Sequence, residues 1–319
     1  MQLTQEQVQK IKSHWPIEGE IHFHRRVANF VYFVQMNGRK AVLRLTEPGH
    51  RSLKEIESEL DWMNYLMKSG VSIAAPIAAI DGRFVVEISG TGSFFAAVFE
   101  LAPGKPLADN SPLSETMVKT WGQYLGRLHR LTKQYRPTNK IQPRQNWDND
   151  ETLAIARRSL DPADEIPFKR LNELIEWMQS LPKEINSYGL VHCDLNRGNF
   201  FVHEDRITAF DFDDACYHWF VYDIVAPINS IESNFLEAQN PKTKEKLFNW
   251  FLEGYATENQ LEQKWLDRYD LFSKYRSALI YHWAKTCVKE NVFDANGVKW
   301  AQNRMPQLIG NFRDPLRLI

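Results

Sequence analysis

The sequence predicts an α+β protein in two lobes: a small antiparallel-sheet lobe over residues 1–103 and a larger, mainly helical lobe over residues 104–319. Three observations carry this. Short runs rich in β-branched and aromatic residues dominate the first hundred positions and flank one amphipathic helix. The chain from residue 230 to 319 shows helical periodicity with many large aromatics. Between these regions lies one short hairpin pattern whose two ends carry amide and carboxylate side chains.

Residues 30–35 and 41–45 read as strands around Asn37-Gly38, a pair whose tolerance of positive φ suits a tight hairpin turn. Leu53, Ile56, Leu60, Met63 and Met67 recur at three- and four-residue intervals and mark a helix. Pro76 closes the connection from that helix, and residues 84–87 and 94–101 supply two more strands. Ser89-Gly90-Thr91-Gly92-Ser93 is glycine-rich, but no helix follows it, so it reads as a hairpin loop and not as a phosphate cradle. Met117, Trp121, Leu125 and Leu128 form a helical stripe ending near His129, which reads as a packed, hydrogen-bonded core histidine. Residues 133–150 are polar and rich in turn formers, and no chemistry is assigned to them. Leu190 and Val191 lead in as a short strand. Residues 200–202 and 207–210 then form the arms of a hairpin across the polar turn 203–206.

A chain of 319 residues with 43% hydrophobic positions can bury a real core. Its 39 basic and 40 acidic residues give a formal charge of −1, which argues against electrostatic capture by nucleic acid or an anionic membrane. No basic segment followed by an apolar core opens the chain, and no apolar run reaches the ~18 residues of a membrane span. Cys193, Cys216 and Cys287 show neither CxxC spacing nor a disulfide framework, which suits a reducing compartment. A cytoplasmic protein is expected.

The most informative run is His192-Cys193-Asp194-Leu195-Asn196-Arg197-Gly198-Asn199, followed by Asp211-Phe212-Asp213-Asp214. Asp194 is a carboxylate able to take a hydroxyl proton, and it is the expected catalytic residue. Asn199 and Asp211 stand at the two ends of the predicted hairpin, so they are neighbours in space despite their separation in sequence. An amide oxygen and a carboxylate suit hard Mg²⁺, which takes oxygen ligands and fills its shell with water and substrate phosphates. This is the spacing of phosphoryl transfer from ATP. Asp213, two residues after Asp211 on the same side of an extended segment, is a third metal candidate, suited to a second Mg²⁺ or a cationic substrate, with a loop cap as the equal alternative.

The stretch 188–225, with Gly189-Leu190-Val191-His192-Cys193-Asp194 and Phe210-Asp211-Phe212-Asp213-Asp214, resembles the catalytic segment of the aminoglycoside phosphotransferase and choline kinase superfamily. It is similar to bacterial small-molecule kinases, including type II homoserine kinase and the stress-response kinase group, and weaker similarity covers nearly the whole chain. The resemblance implies a bilobal protein-kinase-like fold with Mg²⁺-ATP between the lobes. It implies a basic residue on the third strand reaching the phosphates and paired with a glutamate on the next helix, here Arg44 and Glu59. Arg44 stands where the family often has lysine; its charge is fixed and its fork differs in geometry. Phe99, Glu100 and Leu101 correspond to the hinge that meets the adenine. No glycine loop occupies residues 26–32, and Cys193 replaces the arginine that anchors a phosphorylated activation segment in protein kinases. Asp223 matches the family aspartate that braces the catalytic loop through backbone N–H groups. Trp250, Tyr255, Trp265, Tyr269, Tyr281, Trp283 and Trp300 read mainly as core, while Tyr255 and Arg276 sit in segments resembling helices that shape the acceptor pocket. The implied activity is transfer of the γ-phosphate to a hydroxyl of a small molecule. A serine/threonine protein kinase of the stress-response type and a non-catalytic nucleotide-binding protein stay open, because fold does not fix substrate.

Overall fold

The computed structural model describes residues 3–26, 28–90, 92–107, 113–158, 165–234, 240–293 and 295–318. The chain begins with α1 (Gln5–His14), started by a capping box in which the Thr4 hydroxyl accepts from Gln7 N–H and the Gln7 side chain accepts from Thr4 N–H. Ile11 and Trp15 from this end are fully buried. Sequence periodicity did not flag α1 or the long edge strand β1 (Ile17–Arg26), most of whose side chains face solvent.

β2 (Phe30–Met36) and β3 (Arg39–Thr46) form the expected hairpin, with Asn37 and Gly38 at φ 51° and 71°. α2 (Leu53–Lys68) follows, capped by Ser52 and Glu55 and burying Ile56, Leu60, Trp62, Met63 and Leu66. Pro76 enters β4 (Pro76–Ile77), a two-residue strand at the sheet's far edge, where a missing N–H costs little. β5 (Val86–Ile88) and β6 (Phe94–Glu100) complete an antiparallel sheet in the order β1-β2-β3-β6-β4, with β5 also on β6. The loop between β5 and β6 is a hairpin connection as expected, apart from Thr91, which lies outside the described residues.

After β7 (Lys105–Pro106), α3 (Glu115–Thr132) carries Trp121, Leu125 and Leu128 into the core. α4 (Glu151–Arg157), α5 (Glu165–Gln179), α6 (Phe220–Asn234), α7 (Pro241–Ala256), α8 (Gln263–Leu266), α9 (Tyr269–Lys289) and α10 (Ala295–Phe312) make up the rest of the helical part. α3 and α7 approach at backbone distance: a Cβ on Gly122 would lie 2.0 Å from Phe251 O, and one on Gly254 2.0 Å from Lys119 O. Four strands sit among the helices. β8 (Tyr188–Val191) pairs with β11 (Cys216–Trp219), and β9 (Phe200–His203) pairs with both β10 (Arg206–Ala209) and β7.

One hydrophobic cluster runs from α2 and β6 through α3 to Phe200, Phe212 and α7, so the sheet and helical regions share a core where the motif residues lie. Ala74 N–H donates to Ala209 O at 2.8 Å, tying the segment after α2 to the end of the β9–β10 hairpin. Tyr255, Trp265 and Tyr281 are buried core, while Trp300 is exposed. Among the described residues, no helix is long and apolar enough to cross a membrane.

Candidate active site

The run 192–199 occupies the loop between β8 and β9, and a buried carboxylate binds two of its backbone N–H groups. Asp223, in the first turn of α6, accepts from the backbone N–H of His192 at 3.1 Å and of Cys193 at 2.7 Å. His129 contacts the same carboxylate at 2.9 Å, and its other ring nitrogen meets the Tyr255 hydroxyl at 2.7 Å. Burial pushes the Asp223 carboxyl up, but the His129 hydrogen bond and the nearby charges outweigh it and hold the group below the usual carboxylate range. The expected bracing role of Asp223 and core position of His129 therefore describe one network. Cys193 sits at φ 67°, a left-handed conformation that is strained for a non-glycine residue and is kept by these bonds. The His192 ring packs on Phe212 at 4.5 Å, and Phe212 in turn meets Trp62 of α2 edge-on at 5.5 Å.

Asp194 projects from this loop with its carboxylate partly exposed. Its Oδ2 accepts from Asn196 Nδ2 at 2.8 Å and Asn199 Nδ2 at 3.0 Å, and its Oδ1 accepts from Arg276 Nη2 at 2.6 Å. Asn199 Nδ2 also reaches Asp194 O at 2.9 Å, so the amide nitrogen is committed to Asp194. Phe210 N–H donates to Asn199 O at 2.9 Å and closes the open end of the β9–β10 hairpin. Asn199 and Asp211 are thereby neighbours, as the hairpin pattern predicts. Asp211 is half-buried at φ 66°, with Arg25 of β1 at 4.0 Å from its Oδ2. Burial raises its carboxyl above the usual range, helped by Asp213 and opposed by Arg44 and Arg25.

Asp213 sits deeper, in a cluster of cations. Its Oδ2 meets His50 Nε2 at 2.8 Å and accepts from Asn29 Nδ2 at 3.3 Å, and Arg51 Nε lies 3.5 Å from its Oδ1. Burial pushes this carboxyl up, but Arg51, the His50 hydrogen bond and Arg44 prevail and hold it well below the usual range. Arg51 also pairs with Asp214 and Glu151, both at 3.1 Å, and His50 Nδ1 meets Glu151 at 2.8 Å. Burial opposes protonation of His50, yet its hydrogen bonds to Asp213 and Glu151 push its pKa up to about 9. The residues before α2 are thus tied to the segment after Asp211.

Arg44 and Glu59 form a buried bidentate pair, with the guanidinium 5.0 Å above the Phe99 ring. Phe99 is buried, Leu101 half-buried and Glu100 exposed where β6 leaves the sheet. Glu100 N–H donates to Ala75 O at 2.8 Å.

Several site residues escaped sequence reasoning. Arg144, in the stretch with no assigned chemistry, donates to the carbonyls of Ala215, Asp213 and Glu55 at 2.6, 2.6 and 2.8 Å. His50 and Arg51 did leave a signal: two basic residues directly before a helix N-terminus oppose its dipole unless acids elsewhere claim them. Arg276, from the middle of α9, sits in a segment that the resemblance relates to the acceptor pocket, but nothing in its spacing pointed to Asp194.

A model of the phosphotransferase enzyme family matches residues 21–272. Amicoumacin kinase of Bacillus subtilis is 33% identical over 302 residues, covering 93% of this chain and 87% of that protein. Homoserine kinase of Neisseria meningitidis serogroup B is 26% identical over 232 residues, covering 72% and 70%. A solved structure of an amicoumacin kinase in complex with AMP-PNP, Ca²⁺ and Ami superposes with a TM-score of 0.85 at 28% identity, covering 98% of this chain and 95% of that one.

Proposed function

The chain belongs to the phosphotransferase enzyme family and transfers the γ-phosphate of ATP to a hydroxyl of a small molecule, and we propose that Asp194, Asn199 and Asp211 carry that reaction. The observation that supports this is the hairpin mouth, where the Asn199 amide nitrogen is bound to Asp194 and the Asn199 carbonyl accepts from Phe210 N–H, the residue before Asp211.

The donor set fits Mg²⁺. Two protein oxygens, the Asn199 amide and the Asp211 carboxylate, are what this ion takes when nucleotide phosphates and water complete its shell. Among the described residues, no cluster of three or more His, Cys, Asp or Glu is placed to hold a metal. When bound, Mg²⁺ supplies neutralisation of charge on the β- and γ-phosphates. Asp213 is committed to His50, Asn29 and Arg51, and its role is to fasten the sheet region to the metal-binding segment.

Arg44, oriented by Glu59 and lying over Phe99, and Arg25, beside Asp211, bring positive charge to the phosphates in place of a glycine cradle. Phe99, Glu100 and Leu101 line the adenine end. Asp194 orients the acceptor hydroxyl and receives its proton. For an ordinary carboxylate most of the rate gain comes from orientation, since it is a weak base at neutral pH.

The named acceptors of the relatives set the order of testing. Amicoumacin comes first, homoserine second. Purified protein with Mg²⁺-ATP is incubated with each, together with a panel of hydroxylated metabolites, and ADP release is followed. Release that depends on a small-molecule acceptor is the expected result. Release with none of them would contradict the acceptor reading.

A further inference from the structure

We propose that Arg276 is a positioning residue for phosphoryl transfer: it orients the Asp194 carboxylate through Oδ1, the oxygen that receives the acceptor's proton. The inference rests on the reading of Asp194 as the residue that meets the acceptor hydroxyl.

A carboxylate offers about four acceptor sites, two on each oxygen. Both sites on Asp194 Oδ2 are filled, by Asn196 Nδ2 at 2.8 Å and Asn199 Nδ2 at 3.0 Å. Oδ1 accepts from Arg276 Nη2 at 2.6 Å, and its second site remains for the substrate. The acceptor hydroxyl therefore donates to Oδ1, next to the guanidinium. As the acceptor oxygen bonds to the γ-phosphorus, its O–H bond breaks and the proton passes to Oδ1. The bond from γ-phosphorus to the bridging oxygen breaks, and its electron pair leaves with ADP.

Arg276 is built to hold this geometry. Its second nitrogen, Nη1, donates to the carbonyl of Cys193 at 2.7 Å and lies 3.3 Å from the Tyr222 hydroxyl, with the guanidinium 5.8 Å above the Tyr222 ring. The planar fork thus grips two consecutive residues of the catalytic loop, one through its main chain and one through its carboxylate. Cys193 is the residue in the left-handed conformation, so the fork reads the loop where its backbone is strained. Arg276 side-chain exposure is 12%, and its neighbours Tyr275, Ser277, Ala278 and Leu279 are buried, which fixes the helix that delivers it. Its charge also offsets the repulsion between Asp194 and the phosphate anion at the moment of attack.

The test compares Arg276→Gln and Arg276→Lys in the wild-type and Asp194→Asn backgrounds, with kcat, both KM values, Mg²⁺-ATP affinity and melting temperature measured for each. Arg276→Gln is expected to lower kcat by roughly 10- to 100-fold with ATP affinity changed less than about threefold, and Arg276→Lys to recover about tenfold of that loss by restoring a cation. In the Asp194→Asn background, Arg276→Gln is expected to cost less than about threefold, because its effect runs through the missing carboxylate. Wild-type kcat in Arg276→Gln, or the same fold loss in both backgrounds, would overturn the inference. If Arg276→Gln is unstable, the lysine variant decides: the same fold loss for Arg276→Lys in the wild-type and Asp194→Asn backgrounds would overturn it. Wild-type turnover in Asp194→Asn alone would instead overturn the reading of Asp194.

Discussion

Arg44 and Glu59 meet through two parallel hydrogen bonds of 2.7 and 2.6 Å, with only 7% and 1% of their side chains exposed. A bidentate pair this buried cannot lose one member cheaply, because the survivor is left charged without a partner. Burial opposes the arginine's charge, but Glu59 overrides it and keeps the guanidinium protonated.

Arg44→Ala is accordingly expected to destabilise the protein by about 3–5 kcal/mol and to raise the KM for ATP. Arg44→Lys keeps the cation but loses the fork, and should recover part of both effects. Thermal melts and ATP titrations check this. A solvent-facing arginine would give wild-type values in both.

Asp211 and Asp213 lie two residues apart and should respond in opposite ways. Asp211→Ala removes a proposed Mg²⁺ ligand and is expected to abolish most of the Mg²⁺ dependence of ATP binding, measured by calorimetry with and without the ion. Asp213→Asn instead leaves His50 and Arg51 without their shared carboxylate. It should lower stability by about 1–3 kcal/mol while ATP binding still responds to Mg²⁺. A Mg²⁺ response lost in Asp213→Asn and kept in Asp211→Ala would reverse the two assignments.

The α3–α7 contact makes a purely structural expectation. At Gly122 a methyl would lie 2.0 Å from Phe251 O, so Gly122→Ala forces two helix backbones apart and should cost about 1–3 kcal/mol. Gly310, in α10, has nothing within 4 Å of its Cβ direction, and Gly310→Ala should stabilise by about 0.5–1 kcal/mol through helix propensity. Equal melting temperatures for the two variants would contradict the close approach.

How much was readable in advance followed from how local each signal is. The Asn37-Gly38 turn and the α2 stripe depend on neighbours in sequence, and both elements form within a residue or two of their expected bounds. The pairing of Asn199 with Phe210, the residue before Asp211, was legible because a hairpin converts spacing into proximity. The β1 strand was not, since its exposed edge face carries polar residues with no alternation. His50 and Arg144 were missed as partners of the site, and Arg276 was placed near the acceptor pocket by resemblance without its contact to Asp194, because these contacts span 163, 69 or more and 82 residues, beyond any periodic pattern. Asp213 shows the limit most clearly, because only the fold brings Asn29, His50 and Arg51 to it.

The proposal that Asp194 is the residue acting on the acceptor hydroxyl is tested most directly by Asp194→Asn, measured for Mg²⁺-ATP affinity and for turnover in the same preparation. Asparagine keeps the size, but its single amide oxygen can accept from Arg276 or from the Asn196 and Asn199 amides and not from both sides, and it cannot take the proton. The expected result is ATP affinity within a few fold of wild type and turnover reduced by roughly two to four orders of magnitude. Turnover at the wild-type rate, or a loss of ATP affinity as large as the loss of turnover, would contradict it.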